Sequence, residues 1–213
     1  MQSKWINQAA LKIQQSILKH EADIECLDRE IGDGDHYINM KRGCEAISKM
    51  AEELEGFNAP DALNKIGMKL LSTIGGASGP LFASFFMGMS KHLKSVETAG
   101  NLDIALAFEA GVHAIMQRGK AQAGEKTMLD VLIPVAENFK QQAKNGQSAN
   151  EIADALKLVA SQGLESTRNM LATKGRASGL GERAIGHLDA GAKSCQVMVH
   201  AVCDLILEST KIQ

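Results

Sequence analysis

The 213 residues carry 23 lysines and arginines against 25 aspartates and glutamates, a net charge of −2 and a pI near 6.3, which leaves no basic footprint for nucleic acid. Hydrophobic residues make up 45% but aromatics only 4%, so aliphatic side chains and methionine must fill any core, a bias towards helix. Cys26, Cys44, Cys195 and Cys203 match no zinc or redox spacing. No secretory segment opens the chain and the apolar window Leu81 to Met89 is too short to cross a bilayer, so a soluble, cytoplasmic protein with reduced thiols and no membrane contact is expected.

Helical periodicity runs through every long segment. Helix one is predicted over about Ser3 to His20, with Trp5, Ala9, Ile13 and Ile17 on one face. A loop rich in aspartate follows. Helix two is expected from about His36 to Leu54, and helix three from Pro60, using Leu63, Ile66, Leu70 and Ile74. Gly75-Gly76-Ala77-Ser78-Gly79 leads into Pro80 and an almost wholly apolar fourth helix to about His92. Asn101 is the expected N-cap of helix five, which ends before Gly119. The loop from Gly119 to Lys126 leads to Thr127 and Asp130, which resemble a capping box for a sixth helix kinked at Pro134. Ser148 and Glu151 form a second capping box, for helix seven. The stretch from Lys174 to Ala192 contains five glycines and shows no apolar period, and helix eight carries Cys195, Val202 and Leu205. The expected fold is a single all-α domain of eight helices with no internal linker.

The chemistry concentrates in Asp28-Arg29-Glu30-Ile31-Gly32-Asp33-Gly34-Asp35-His36. Carboxylates separated by single glycines can converge on one small hard cation, and magnesium commonly shares such ligands with phosphate; a solvated acidic turn is the plainer alternative. Consecutive helices joined by modest loops tend to be antiparallel neighbours. Alternate joins therefore fall at the same end, and they are the aspartate loop, the Gly75–Gly79 loop, the Gly119–Thr127 loop and the late glycine-rich segment. A composite site at that end follows. Gly75 to Gly79 would offer free amides and Ser78 a hydroxyl to phosphate, or else form a tight turn. Arg176 has the forked donors that suit phosphate, or is a solvated arginine. Asp189 would accept from a ribose hydroxyl or cap helix eight. Met128 would pad a base or belong to the core. His36 and Asn39 are candidates for phosphate contacts, His187 a weaker one. No Walker loop, EF-hand or nucleophile elbow is present.

Taken together, Leu27 to His36, Gly75 to Pro80, Arg118-Gly119-Lys120, Gly175-Arg176-Ala177-Ser178 and Gly181-Glu182-Arg183 resemble DhaL, the nucleotide-binding subunit family of bacterial dihydroxyacetone kinases, along nearly the whole chain. The resemblance implies that residues 1–213 form one domain, an eight-helix antiparallel barrel with nucleotide capping one end. It implies magnesium, as a pair of ions, on Asp28, Asp33 and Asp35. It further implies nucleotide contacts from His36, Tyr37, Ile38, Asn39, Ala77, Ser78, Gly119, Met128, Arg176, Asp189, Ala190 and Gly191. In the phosphotransferase-system-linked branch, which a free-standing chain of this size resembles, ADP stays bound as coenzyme. An M-type phosphohistidine subunit recharges it to ATP, and the γ-phosphoryl passes to dihydroxyacetone on a K-type subunit that carries the substrate-activating residues. Three positions depart from the family pattern: Tyr37 for glycine, Ala190 for proline and Glu125 for aspartate. Tyr37 is expected to crowd the phosphate region or reshape the partner surface. Partnership with a transcription regulator, the nucleotide subunit of another kinase complex, and a homodimer stay open beside the main reading.

Overall fold

The computed structural model describes residues 3–210, which contain ten α-helices and no strand. Eight are long: α1 (Ser3–Lys19), α3 (His36–Ser48), α5 (Ala59–Thr73), α6 (Ser78–Leu93), α7 (Asn101–Gly119), α8 (Leu129–Lys144), α9 (Ala149–Ser166) and α10 (Ala190–Thr210). Each packs on the next along the chain, and α10 returns to pack on α1. One buried cluster runs through all of them, from Ile17 and Leu63 through Ile115, Leu132 and Leu156 to Cys195. By length and hydropathy α10 could cross a membrane, but α1, α2 (Glu21–Ile31), α8 and α9 pack against it.

Of the two further helices, α2 lies where none was expected and the other splits off the end of an expected one. In α2, Ile24, Asp28 and Ile31 follow a four-then-three spacing and all turn inward; a carboxylate at the middle position hides the apolar period. The expected helix from His36 to Leu54 is interrupted at Lys49 and Met50, where Met50 N–H bonds back three residues to the Ile47 carbonyl at 2.9 Å. The short α4 (Ala51–Glu55) then leans on α1 and α5. Asn7 of α1 accounts for part of that, donating to the Ala51 carbonyl at 2.8 Å.

Helix starts follow the local chemistry. Asn58 caps α5 by accepting from Asp61 N–H at 2.9 Å, and Ser148 with Glu151 forms the expected reciprocal box at α9. The cap of α7 is Gly100 and not Asn101; Asp103 accepts the Gly100 N–H at 2.9 Å, so Asn101 is already helical. Thr127 and Asp130 meet through Thr127 N–H and the Asp130 carboxylate at 2.7 Å, ahead of a helix that starts at Leu129.

Small residues let α6 and α7 touch closely. A Cβ added to Gly111 would stand 2.6 Å from the Phe85 ring and 2.8 Å from its carbonyl oxygen. Alanine would add about 1 kcal/mol of helix propensity, but the backbone of α6 has no room to yield. We expect Gly111→Ala to lower stability by about 1–3 kcal/mol, read as a fall in thermal midpoint. Gly56→Ala, whose nearest new contact is at 3.5 Å and whose φ is −77°, is expected to gain about 0.4–1 kcal/mol. A Gly111→Ala protein melting at or above the parent would show that the α6–α7 approach does not require glycine.

Candidate functional site

The site begins at the reversal between α2 and α3. Asp28 stands on the last turn of α2, not in a loop, and is 7% exposed. Its carbonyl accepts the Gly32 N–H at 2.7 Å and its carboxylate accepts the His36 N–H at 3.0 Å. A side chain at position 32 would fall on that carboxylate, and Gly34 has a φ of +78° that glycine adopts without strain. The two glycines thus fold Asp33 and Asp35 back over Asp28. One oxygen from each of Asp28, Asp33 and Asp35 lies within 4.8 Å of the others. Arg176 reaches the same place, with Nε 2.7 Å from Asp33 Oδ2. Three hard oxygen donors this close suit a divalent cation such as magnesium.

Next in the chain, His36 is half-buried, and Nε2 lies 2.9 Å from Ser194 Oγ on α10. Ser194 spends its one proton on the Gly191 carbonyl at 3.0 Å, so the histidine contact requires Nε2–H to donate. Burial lowers the His36 pKa despite the three nearby aspartates, which favours a neutral ring with Nδ1 as acceptor. Tyr37 does not crowd the aspartates. It is 2% exposed and packs in the core, where burial and the neighbouring Glu21 and Glu25 push its hydroxyl up to about 12. Ile38 is 52% exposed. Asn39 is buried, and its Oδ1 would be 3.4 Å from a Cβ at Gly75, which joins the aspartate reversal to the glycine loop.

In that loop Gly76 takes a φ of +63°. A Cβ at Gly79 would strike the Ile74 carbonyl, so the tight-turn requirement and the open amides coexist. Ala77 precedes α6 and no side chain caps its start, leaving the amides of the first turn free. Gly119 ends α7 against Leu81 of α6, which would lie 3.2 Å from a Cβ there.

The late segment is less irregular than its sequence suggests. Arg176 to Ala184 forms 3₁₀ turns broken at Gly181, and Ala172, Ala177 and Ala184 pack on Ile31 of α2. That small apolar contact is what delivers Arg176 to Asp33. His187 Nδ1 pairs with Glu30 at 2.9 Å, fastening the segment to α2. Asp189 N–H donates to Thr167 Oγ1 at 3.1 Å, and its carboxylate accepts the Ala192 N–H at 2.7 Å. Asp189 therefore does cap α10. Burial nevertheless pushes its carboxyl up to about 6, against the pull of that N–H and of Lys126. Met128 is 8% exposed, and its Cβ would be 3.8 Å from a Cβ at Gly191, so the loop before α8 meets the Asp189-Ala190-Gly191 turn.

Sequence assigns no role to Lys126, Thr167 or Ser194 and only a cap to Asp130. Lys126 is 1% exposed with a φ of +59°. Its ammonium donates to the carbonyls of Thr167 and His187 at 2.5 Å each and Arg168 at 3.5 Å. Asp130 shapes the same loop by accepting from Gly124 and Thr127 N–H. The signal for these was the resemblance of Thr127 and Asp130 to a cap; nothing in the order of residues pairs His36 with Ser194. All four loops predicted to share one end are joined by these contacts.

Comparison with known proteins shows the family and the fold. The DAK2 domain family matches residues 30–204. The chain is 40% identical over 199 residues to the ADP-binding subunit DhaL of the PEP-dependent dihydroxyacetone kinase 1 of Listeria innocua, spanning 93% of this chain and 92% of that one. It is 42% identical over 176 residues to the corresponding DhaL of Escherichia coli K12, spanning 81% and 82%. Among solved structures, the dihydroxyacetone kinase of C. freundii in complex with AMP-PNP and Mg2+ shares the fold, with a TM-score of 0.74 at 23% identity. That match covers 93% of this chain but 33% of the longer kinase. The chain belongs to the DAK2 domain family.

Proposed function

We propose that this chain is the ADP-binding subunit of a dihydroxyacetone kinase complex, handling phosphoryl groups on a magnesium-bound nucleotide. The observation that carries the reading is the convergence of Asp28, Asp33 and Asp35 within 4.8 Å at the meeting of the loops. It is supported by relatives named as DhaL subunits that match over more than nine-tenths of both chains. Residues 1–213 would form one such domain, and the return of α10 to α1 supports reading its helices as a closed antiparallel barrel. The setting would be cytoplasmic.

In this reading Asp28, Asp33 and Asp35 hold a pair of magnesium ions. Magnesium bound there would neutralise phosphate charge, which phosphoryl transfer needs more than a covalent nucleophile. The amides around Ala77 and Ser78 take phosphate oxygens. Arg176 exchanges its exposed pairing with Asp33, worth little in water, for a phosphate. Asn39 faces the phosphates together with the backbone of His36, Tyr37 and Ile38, while the His36 ring is held aside by its Nε2–H bond to Ser194. Gly119 and Met128 border the base, and Asp189, Ala190 and Gly191 the ribose. Dihydroxyacetone and the residues that activate it lie on a K-type subunit, while an M-type phosphohistidine subunit restores ATP from ADP.

Native mass spectrometry of the protein in magnesium buffer is expected to show an increment for ADP with two magnesium ions, lost on denaturation. A protein that stays bare after addition of Mg-ADP would end the proposal. Replacing Asp33 and Asp35 together by asparagine should weaken magnesium-dependent ADP binding by two orders of magnitude or more, with helicity unchanged by circular dichroism; unaltered binding would refute the metal assignment. The chain alone should not phosphorylate dihydroxyacetone, and adding a K-type subunit together with an M-type subunit kept phosphorylated on its histidine should give turnover.

The Asp189 carboxyl supplies a pH test. Raised from 3.8 to about 6, it binds protons more readily in the folded than in the unfolded chain, so its ionisation lowers stability as pH rises between those values. Asp189→Asn should therefore raise the thermal midpoint of the ligand-free protein at pH 8, a gain of about 1–3 kcal/mol, and the gain should vanish towards pH 4. The same substitution should weaken ADP binding several-fold. A variant no more stable at pH 8 would mean that the ionised carboxylate carries no folding cost.

A further inference from the structure

Among the described residues Lys126 is the largest side chain buried completely, and it carries an amino group. Burying an ammonium costs several kcal/mol before any partner is found, and a methionine of similar length would fill the space without that cost. Its own backbone lies in the left-handed region, at a φ of +59°, which an unbranched L-residue adopts only when its surroundings insist. The three ammonium protons go to three backbone carbonyls, those of Thr167, Arg168 and His187. These carbonyls flank both ends of the late segment. Glu125, one residue earlier, reaches the same segment: its carboxylate accepts from Thr173 Oγ1 at 3.0 Å and its carbonyl from Thr173 N–H at 3.4 Å. Thr167, whose carbonyl accepts from the Lys126 ammonium, also receives the Asp189 N–H on its hydroxyl. Met128 follows Lys126 by two residues and meets Gly191.

We propose that Lys126 is a positioning residue of the nucleotide site: its ammonium fixes the loop before α8 to the segment before α10, so that Met128 and the Asp189-Ala190-Gly191 turn face one ligand. This rests on the nucleotide reading above. Lys126 itself touches no ligand. It acts through the carbonyls it holds, and its effect falls on the base and ribose side, because the aspartates are folded together by Gly32, Gly34 and the His36 N–H and meet the late segment only through the exposed pair of Arg176 with Asp33, worth little in water. The two halves of the site can therefore be uncoupled by substitution.

The test compares the intact protein with Lys126→Met, by calorimetric titration with Mg-ADP, by Tb3+ luminescence as a probe of the aspartate cluster, and by amide hydrogen exchange. The variant should bind Mg-ADP at least tenfold more weakly and Tb3+ within twofold of the parent, with faster exchange confined to residues 120–128 and 167–191. If Lys126→Met does not fold, Lys126→Ala prepared in propylammonium carries the test. Propylammonium should restore ADP affinity where equimolar propanol does not, since the carbonyl cage needs charge and three donors. A parent protein that binds Mg-ADP alongside a variant of unchanged affinity overturns the role of Lys126 and leaves the nucleotide reading standing. Equal loss of ADP and Tb3+ binding, exchange raised throughout the molecule, or equal rescue by propanol would also overturn it. A parent that binds no Mg-ADP refutes the nucleotide reading itself.

Discussion

The structure depends on a carboxylate placed where a helix normally sets an aliphatic side chain. Asp28 follows Ile24 and precedes Ile31 on the inner face of α2, and a buried acid needs hydrogen bonds or charge to remain there. The chain supplies one at once by turning back, so that the His36 N–H meets the carboxylate. That bond sets where α3 begins. The start of α3 in turn sets the position of Asn39 beside Gly75 and of His36 beside Ser194. A local reversal of a few residues thus fixes the relation of helices at opposite ends of the sequence.

The remaining loops are held by different means, graded by exposure. The late segment meets α2 through buried alanines on Ile31 and through the half-exposed pair of His187 with Glu30. Its link to the loop before α8 is buried and made by one ammonium among carbonyls. The exposed ion pairs contribute little each and can rearrange, whereas the buried contacts resist movement. Arg176, 76% exposed as a side chain, belongs to the first kind. The floor of the site is therefore stiff and its rim adaptable.

Much of this was legible in the order of residues. The amphipathic helices, the capping box at Ser148 and the clustering of the special loops follow from periodicity and from antiparallel succession. What escaped did so for physical reasons. The apolar period of α2 is broken by Asp28 itself, so the residue with most chemical content concealed its own helix. The break at Lys49 and Met50 has no glycine or proline to announce it; packing of the next turn on α1 decides it. Tyr37 looked obstructive because it stands where the family pattern has glycine, but helical rotation turns the ring into the core, one position from the exposed Ile38. Lys126 reads as a loop lysine, since a cage of carbonyls leaves no trace in side-chain chemistry.

The bond between His36 and Ser194 joins residues 158 positions apart, and it has a temporal meaning. Loop closure over such a distance comes late, after local helices have formed and their neighbours have docked. The aspartates leave the ribosome early, with the first fifth of the chain, but their histidine acquires its partner only when α10 arrives. A nascent chain thus displays its acidic turn without the finished end of the molecule. The histidine bond at that turn is a property of the ring of helices as a whole, absent wherever α10 is apart from α3.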